Sequence, residues 1–211
     1  ITSVLTPPAR SPVTEKKRVL VVGGGPGGME AARVAAERGH EVVLYEKGSY
    51  LGGLEPLAAI VKDLETEDMM GHVAYLEAQL KKNKVKVRLN KAATLDVIKA
   101  ENPDVVILAS QDRLASEWKR KSLSARDGTK EPVEQTILRS TRETLEVITQ
   151  HVEHVVLIED VLTPDTFAPD ECLATAQSAV DCVVPLKAET PATTASYIAY
   201  SQANPAIHTV N

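Results

Sequence analysis

Arg18 to Gly53 reads RVLVVGGGPGGMEAARVAAERGHEVVLYEKGSYLGG, and the rest of the chain takes its place around it. A hydrophobic run, Val19-Leu20-Val21-Val22, meets a glycine cluster and then an alanine-rich stretch. A second hydrophobic run, Val42-Val43-Leu44-Tyr45, ends on an acid, Glu46. Short apolar runs bounded by glycine predict buried strands, and the stretch between them predicts a helix closed by Gly39 at its C-cap. The sum is one βαβ unit carrying G-x-G-x-x-G at Gly23, Gly25 and Gly28 in its first turn.

The spacing has a physical reason. Gly23 permits a sharp exit from the strand, with dihedrals that a Cβ forbids. Gly25 leaves room for a pyrophosphate against the main chain, and Gly28 lets the helix pack close to the sheet. The helix N-terminus offers unpaired N–H groups and about half a positive charge to phosphate oxygens. Pro26 and Gly27, inside the same turn, complete the candidate phosphate-binding set. Glu46 follows Gly28 by 18 residues, at the tip of the second strand, where a carboxylate can accept both hydroxyls of an adenosine ribose. An acid there repels a 2′-phosphate, so FAD or NAD is expected rather than NADP. Lys47, beside it, is a further candidate cofactor-binding residue. Glycine-rich turns also occur for structural reasons alone, but here strand, helix, second strand and terminal acid stand in register, which is the context a dinucleotide site requires. Gly52 and Gly53 allow the main chain to approach a cofactor, a pair that plain NAD-binding units do not need. An ordinary loop explains the same pair when it is taken alone.

At 211 residues the chain has the size of one large domain or one and a half small ones, ample for a core. Aromatic residues make up 3% of it, too few for a base-stacking platform, and a net charge of −5 argues against a general polyanion binder. The charge is uneven. Lys81 to Lys91 holds six cations and no acid, whereas His151 to Asn211 holds eight acids and one lysine. A solvated face explains each run, and a docking surface for a larger partner is the sharper alternative. No stretch has the pattern of a signal peptide or runs apolar for the roughly 20 residues that span a bilayer. Cys172 and Cys182 are too few for a disulfide framework, so a reducing, cytoplasmic setting is expected.

Residues 1–17, with Pro7, Pro8 and Pro12, read as a linker or extended arm. A chain that opens on Ile1 before such an arm is expected to be a piece of something longer. Beyond Gly53, Thr66 to Asn83 predicts a helix with Met69, Val73, Leu76 and Leu80 on one face. Val85 to Leu89 alternates strictly and predicts a strand at the side of the sheet. Leu95 to Ala100 predicts a short helix, and Asp104 to Ala109 a fully buried strand. Residues 18–110 thus form a dinucleotide-binding unit. Residues 111–211 are expected to supply a helical insert and a C-terminal part that completes or extends the sheet. Within them Pro132 starts an amphipathic helix with a stripe of Val133, Ile137, Thr141, Leu145 and Ile148. Val155 to Ile158 predicts another buried strand, and Phe167 to Val180 a helix; Thr190 to Tyr200 fits helix or strand. The fold class expected is α/β: a Rossmann-like, doubly wound, mostly parallel sheet with a divergent C-terminal part.

From Lys16 to Ala109 the sequence resembles the flavin/nicotinamide-binding region fused behind an Old Yellow Enzyme-type barrel, as in 2,4-dienoyl-CoA reductase and the trimethylamine and histamine dehydrogenases. The resemblance lies in VLVVGGGPGGMEAARVAAERGHEVVLYEK, then LGG, then VKVRLN, then PDVVILAS. It covers about half the chain. It implies an FAD or ADP site with Gly23, Gly25 and Gly28 at the pyrophosphate, Glu46 at the ribose and Gly52-Gly53 near the cofactor. It also implies that Asp160, closing Val156-Leu157-Ile158-Glu159-Asp160, lies near the ribityl chain of a flavin, and that a barrel-type flavoprotein domain or subunit is a partner. The chain departs from the family in three places. Glu159 stands where glycine is expected, Ala109-Ser110-Gln111 replaces Ala-Thr-Gly, and the second glycine-rich motif for NAD(P)H is missing, with only about forty residues in its interval.

Other chemistry finds little support. No C-x4-C follows Gly53, which excludes a redox-active disulfide of the glutathione-reductase kind, and Cys172 and Cys182 read as apolar fillers. His151-x-x-His154 places two imidazoles at helical spacing, but without a third ligand a helix C-terminus is the better reading and no metal site is expected. No catalytic acid, base or triad is identified. The leading expectation is an FAD-dependent oxidoreductase domain or subunit passing electrons between a nicotinamide and a flavin or partner redox centre. The alternative is a non-catalytic module of a larger flavoenzyme that keeps ADP or a dinucleotide as a structural element. A third reading, an NAD-dependent dehydrogenase domain using Glu46, is disfavoured by Gly52-Gly53.

Overall fold

A computed structural model describes residues 13–56, 66–109, 123–124, 130–131, 133–158, 198 and 200–210. The opening apolar run is strand β1 (Arg18–Val22), and the alanine-rich stretch is helix α1 (Pro26–Glu37). α1 starts with proline in its first turn, where the missing N–H costs nothing. It ends where Gly39 turns left-handed at φ 104°, with Gly39 N–H donating to Ala36 O and His40 N–H to Ala35 O, a Schellman closure. Strand β2 (Glu41–Tyr45) returns parallel to β1, Val19 beside Val42 and Val21 beside Leu44.

Helix α2 (Thr66–Lys82) buries Val73, Leu76 and Leu80, three of the four residues on its expected face. Strand β3 (Lys86–Arg88) pairs parallel with β2 at the outer edge of the sheet, as its alternation predicts. Helix α3 (Leu95–Glu101) is capped by the Thr94 hydroxyl, which accepts from Val97 N–H, and strand β4 (Val105–Leu108) then pairs on the other side of β1. A two-stranded antiparallel ribbon, β5 (Leu123–Ser124) with β6 (Lys130–Glu131), is an addition that nothing in the local sequence announces. Helix α4 (Val133–Ile148) follows, then strands β7 (His154–Ile158) and β8 (Ile207–Val210).

The main sheet is parallel throughout, in the order β3-β2-β1-β4-β7-β8. With the ribbon set aside, this is the doubly wound order 3-2-1-4-5-6, whose direction of winding reverses between β1 and β4. The α/β, Rossmann-like expectation is borne out. One apolar cluster lies on each face: Val21, Met29, Leu44, Leu76 and Leu80 beneath α1 and α2, and Leu20, Val106, Leu145, Ile148, Val155 and Ile207 on the other face.

Several expectations need correction. β4 and β7 are buried on one face only: Val106, Val155 and Leu157 are inside, while Ile107, Val156 and Ile158 are half-buried. His151 lies in the turn after α4 and His154 opens β7, so the two imidazoles do not share a helical face. His154 instead meets His208 of β8, ring nitrogens 3.2 Å apart. β8 lies in the C-terminal stretch after Pro205, beyond the Thr190 to Tyr200 segment that fits helix or strand, and no strand is expected there. Ile198, Tyr200 and residues 201–203 are helical, and Ile207 then turns into the cluster beside Val155. Asp160, Cys172, Cys182 and the helix expected over Phe167 to Val180 lie outside the described residues.

Candidate functional site

The glycine turn sits at the C-terminal end of β1, next to the point where the sheet reverses its winding and ligands bind such folds. Gly23 leaves the strand at φ 107°, and its N–H donates to Tyr45 O at 2.9 Å, closing the turn onto β2. A Cβ at Gly23 would collide with the Ala109 carbonyl, and one at Gly28 with the Gly23 carbonyl and the Ala109 methyl. Both glycines are demanded by packing between β1, α1 and the end of β4.

Gly25 differs. It caps α1 at φ −72°, ψ 174°, an extended conformation open to any residue, and a Cβ built there meets nothing within 4 Å. The turn therefore leaves an open cradle in front of the α1 N-terminus, where unpaired N–H groups face outward. Pro26 is the first helical residue. Gly27 is exposed, and a Cβ on it would lie 3.7 Å from Ile158 Cγ2, so the end of β7 flanks the same helix N-terminus.

Glu46 is held on both sides of its carboxylate. Oε2 accepts from Gly24 N–H at 2.7 Å and Oε1 from Gly48 N–H at 2.6 Å. Its main chain is tied to the β3 side, N–H to Arg88 O at 2.9 Å and carbonyl to Lys91 N–H at 3.0 Å. The clasp joins the glycine turn to the loop after β2 and fixes the acid at the tip of its strand. A carboxylate has about four acceptor positions, so two remain for other donors. Lys47, next in the chain, is exposed.

Gly52 and Gly53 are both left-handed, at φ 93° and 60°. Gly52 N–H donates to Gly24 O at 2.8 Å, and a Cβ on Gly52 would lie 2.8 Å from Val73 Cγ2. A Cβ on Gly53 would lie 3.2 Å from Gly25 Cα. The second glycine pair thus packs directly onto the first turn. Gly23, Gly25, Pro26, Gly27, Gly28, Glu46, Gly52 and Gly53, spread over residues 23–53, converge at one end of the sheet.

Glu55 was not singled out by its sequence. It is helical together with Pro56, with Oε1 2.9 Å from His72 Nδ1 of α2, while Oε2 is buried with no hydrogen-bond partner among the described residues. On the opposite face, a depression is formed by Leu108, Leu157 and Ile158 at the ends of β4 and β7 and by Ser140, Thr141 and Thr144 of α4. Ile158 is common to this depression and to the α1 N-terminus.

Residues 18–85 match the family described as FAD dependent oxidoreductase. That stretch is similar to an FAD-dependent oxidoreductase domain. It is 46% identical over 100 residues to bilirubin reductase of Mediterraneibacter gnavus, covering 47% of this chain and 15% of that protein. It is 47% identical over 95 residues to N,N-dimethylglycine/sarcosine dehydrogenase of Chromohalobacter salexigens, 45% of this chain and 13% of that one. To the multifunctional alkene reductase/demethylase OYE of Caballeronia cordobensis it is 42% identical over 96 residues, 46% and 14% of the two. The matched stretch thus spans 13% to 15% of these relatives' length. The resemblance to fused reductases of the Old Yellow Enzyme type is borne out, as is FAD as the cofactor of the domain's family. Among the described residues, no helix is long and apolar enough to cross a membrane.

Proposed function

We propose that the chain holds FAD over the C-terminal ends of β1 and β2 and passes electrons between a nicotinamide and that flavin or a partner redox centre. The observation that carries the reading is the cradle at Gly25. Its backbone conformation does not require glycine and no described residue comes within 4 Å of a Cβ built there, so a group from outside the chain accounts for the missing side chain. A pyrophosphate suits it, because it faces the unpaired N–H groups and positive end of α1.

In this reading Gly25, Pro26, Gly27 and Gly28 line the pyrophosphate, and Gly23 sets the direction of the turn. Glu46, anchored by two backbone donors, presents its remaining lone pairs to the ribose hydroxyls and rejects a 2′-phosphate. Lys47 stands at the rim, where its cation offsets phosphate charge. Gly52 and Gly53 hold the wall of the cradle against Gly25. Asp160 remains a proposed contact of the ribityl chain on the strength of the resemblance. When bound, FAD supplies the redox chemistry, and the protein supplies position and electrostatics. A barrel-type flavoprotein domain or subunit is the proposed partner, and the setting proposed is cytoplasmic.

The test is direct. The purified chain, incubated with FAD and desalted, is expected to retain a yellow flavin band and to release FAD on denaturation, identified by mass spectrometry. NADH-dependent bleaching of that band then reads electron transfer. A protein that stays colourless overturns the proposal. One that retains FAD or ADP and does not accept electrons from a nicotinamide supports the structural-module reading instead.

A further inference from the structure

The edge of the sheet away from β3 carries a pair of imidazoles that the cofactor site does not use. β8 is the last strand there, and it pairs with β7 so that His208 lies opposite Val156. His154 precedes Val156 by two residues, so the two histidines share one face of the sheet, opposite the face that buries Val155, Leu157 and Ile207. His208 is exposed and His154 is half-buried. His208 Nε2 stands 3.2 Å from His154 Nδ1, with ring centroids 5.2 Å apart and ring planes tilted by 49°. His154 opens β7, which puts it about 13 Å along the strand from Ile158 at the cofactor end.

Neutral imidazoles at this distance share one hydrogen bond, in which one nitrogen donates and the other accepts. The same distance also separates neighbouring ligands of a single metal ion. For metal–nitrogen bonds of roughly 2.0–2.1 Å, nitrogens 3.2 Å apart subtend about 100–105° at the metal, close to a tetrahedral angle. We propose that His154 Nδ1 and His208 Nε2 bind one divalent transition-metal ion of the kind that prefers imidazole, Zn²⁺ or Cu²⁺, across β7 and β8. Binding needs only a shift of tautomer: the proton between the rings moves to the outer nitrogen of the ring that carried it, and both facing lone pairs become free for the metal. Mg²⁺ and Ca²⁺ seek oxygen and do not suit two nitrogen ligands. Glu153, beside His154, is engaged by Lys17 at 2.7 Å, and among the described residues no third His, Cys, Asp or Glu completes the set. Water fills the remaining positions, and the exposure of His208 admits it. β8 neighbours no strand of the sheet but β7, so an ion held there ties the edge strand down. The site is independent of the FAD reading.

The test uses the full chain, stripped with a chelator and titrated with Zn²⁺ against a chromophoric competitor in excess Mg²⁺. Two ligands supply about half the binding free energy of a four-ligand structural zinc site, which corresponds to a Kd on the order of 10 μM. His154→Ala and His208→Ala should each weaken binding by roughly 10- to 100-fold, since each removes one of two ligands. His151→Ala, in the turn before β7 and outside the pair, should leave it unchanged. His208→Gln keeps a polar side chain at the exposed position and decides where an alanine variant does not fold. Affinity should also fall as pH is lowered, because a proton on either facing nitrogen excludes the metal. The denaturation midpoint of the wild type should rise with Zn²⁺, while those of the His154 and His208 variants stay in place. Zn²⁺ affinity unchanged in either of these variants overturns the proposal, as does a wild-type chain that takes up no Zn²⁺ at about 1 mM. Both results leave a hydrogen-bonded pair only.

Discussion

The glycines of one turn differ in what holds them there. Gly28 has no room: a Cβ would strike the Gly23 carbonyl and the Ala109 methyl. Gly25 has open space and an unstrained backbone. Gly28→Ala is therefore expected to cost about 1–3 kcal/mol through overpacking, read as a lower midpoint in denaturant. Gly25→Val should leave that midpoint within about 0.5 kcal/mol of wild type, while FAD retention on desalting is lost. Equal stability loss in both would mean that Gly25 also serves the fold. The motif was legible at this scale, spacing and terminal acid alike, because it depends on residues close in sequence. The clasp of Glu46 on Gly24 and Gly48 was not legible, since an acid at a strand tip reads the same whether its partners are backbone or ligand. Glu55 was invisible for a related reason: its contact with His72 exists only once α2 packs beside the glycine pair.

Among the elements, periodicity placed α1, α2, α3, α4 and five strands of the main sheet to within a few residues. It missed β8. Ile207-His208-Thr209-Val210 is short, follows Pro205, and gains its strand character by pairing parallel with β7, which local sequence does not encode. The pairing is firm: Val155 N–H donates to Ala206 O at 2.8 Å, and Ile207 is 3% exposed within the cluster of Val155, Leu145 and Val106. Ile207→Ala should accordingly cost about 2–4 kcal/mol, measured by chemical denaturation, whereas an alanine at exposed Gln202 should change little. A null result at Ile207 would show β8 to be an adornment of the sheet rather than part of its core. The half-buried faces of β4 and β7 have a similar cause. An apolar run announces burial but not on how many sides, which depends on the layers packed against it.

Across the whole molecule, the strand starts are stitched together by charge. Asp104 at the head of β4 accepts from the Arg18 main-chain N–H at 2.7 Å and from its guanidinium at 3.4 Å. Lys17 reaches Glu153, before β7, at 2.7 Å. The Arg18 N–H above all holds the Asp104 carboxyl below its ordinary value; burial opposes it as the next effect in size, and the guanidinium and Lys17 add to the lowering. A carboxyl whose value is lowered by folding adds stability above its unfolded value, near 3.8, and that stability is lost as pH falls through the lowered folded value. Asp104→Asn should therefore lower stability at pH 7 and flatten the acid limb of a plot of stability against pH. A parallel downward displacement of the whole curve would refute this linkage. The sequence by itself determined the βαβ unit and its glycine spacing, and from one acid at a fixed place it predicted a dinucleotide with an unphosphorylated ribose, because these rest on glycine sterics and apolar periodicity. Only the tertiary structure decided that Gly52-Gly53 packs onto the first turn, that β8 extends the sheet beside β7, and that Glu55 pairs with His72 of α2. Each of these depends on groups distant in the chain meeting in space, where packing and desolvation, which no local pattern records, set what a residue does.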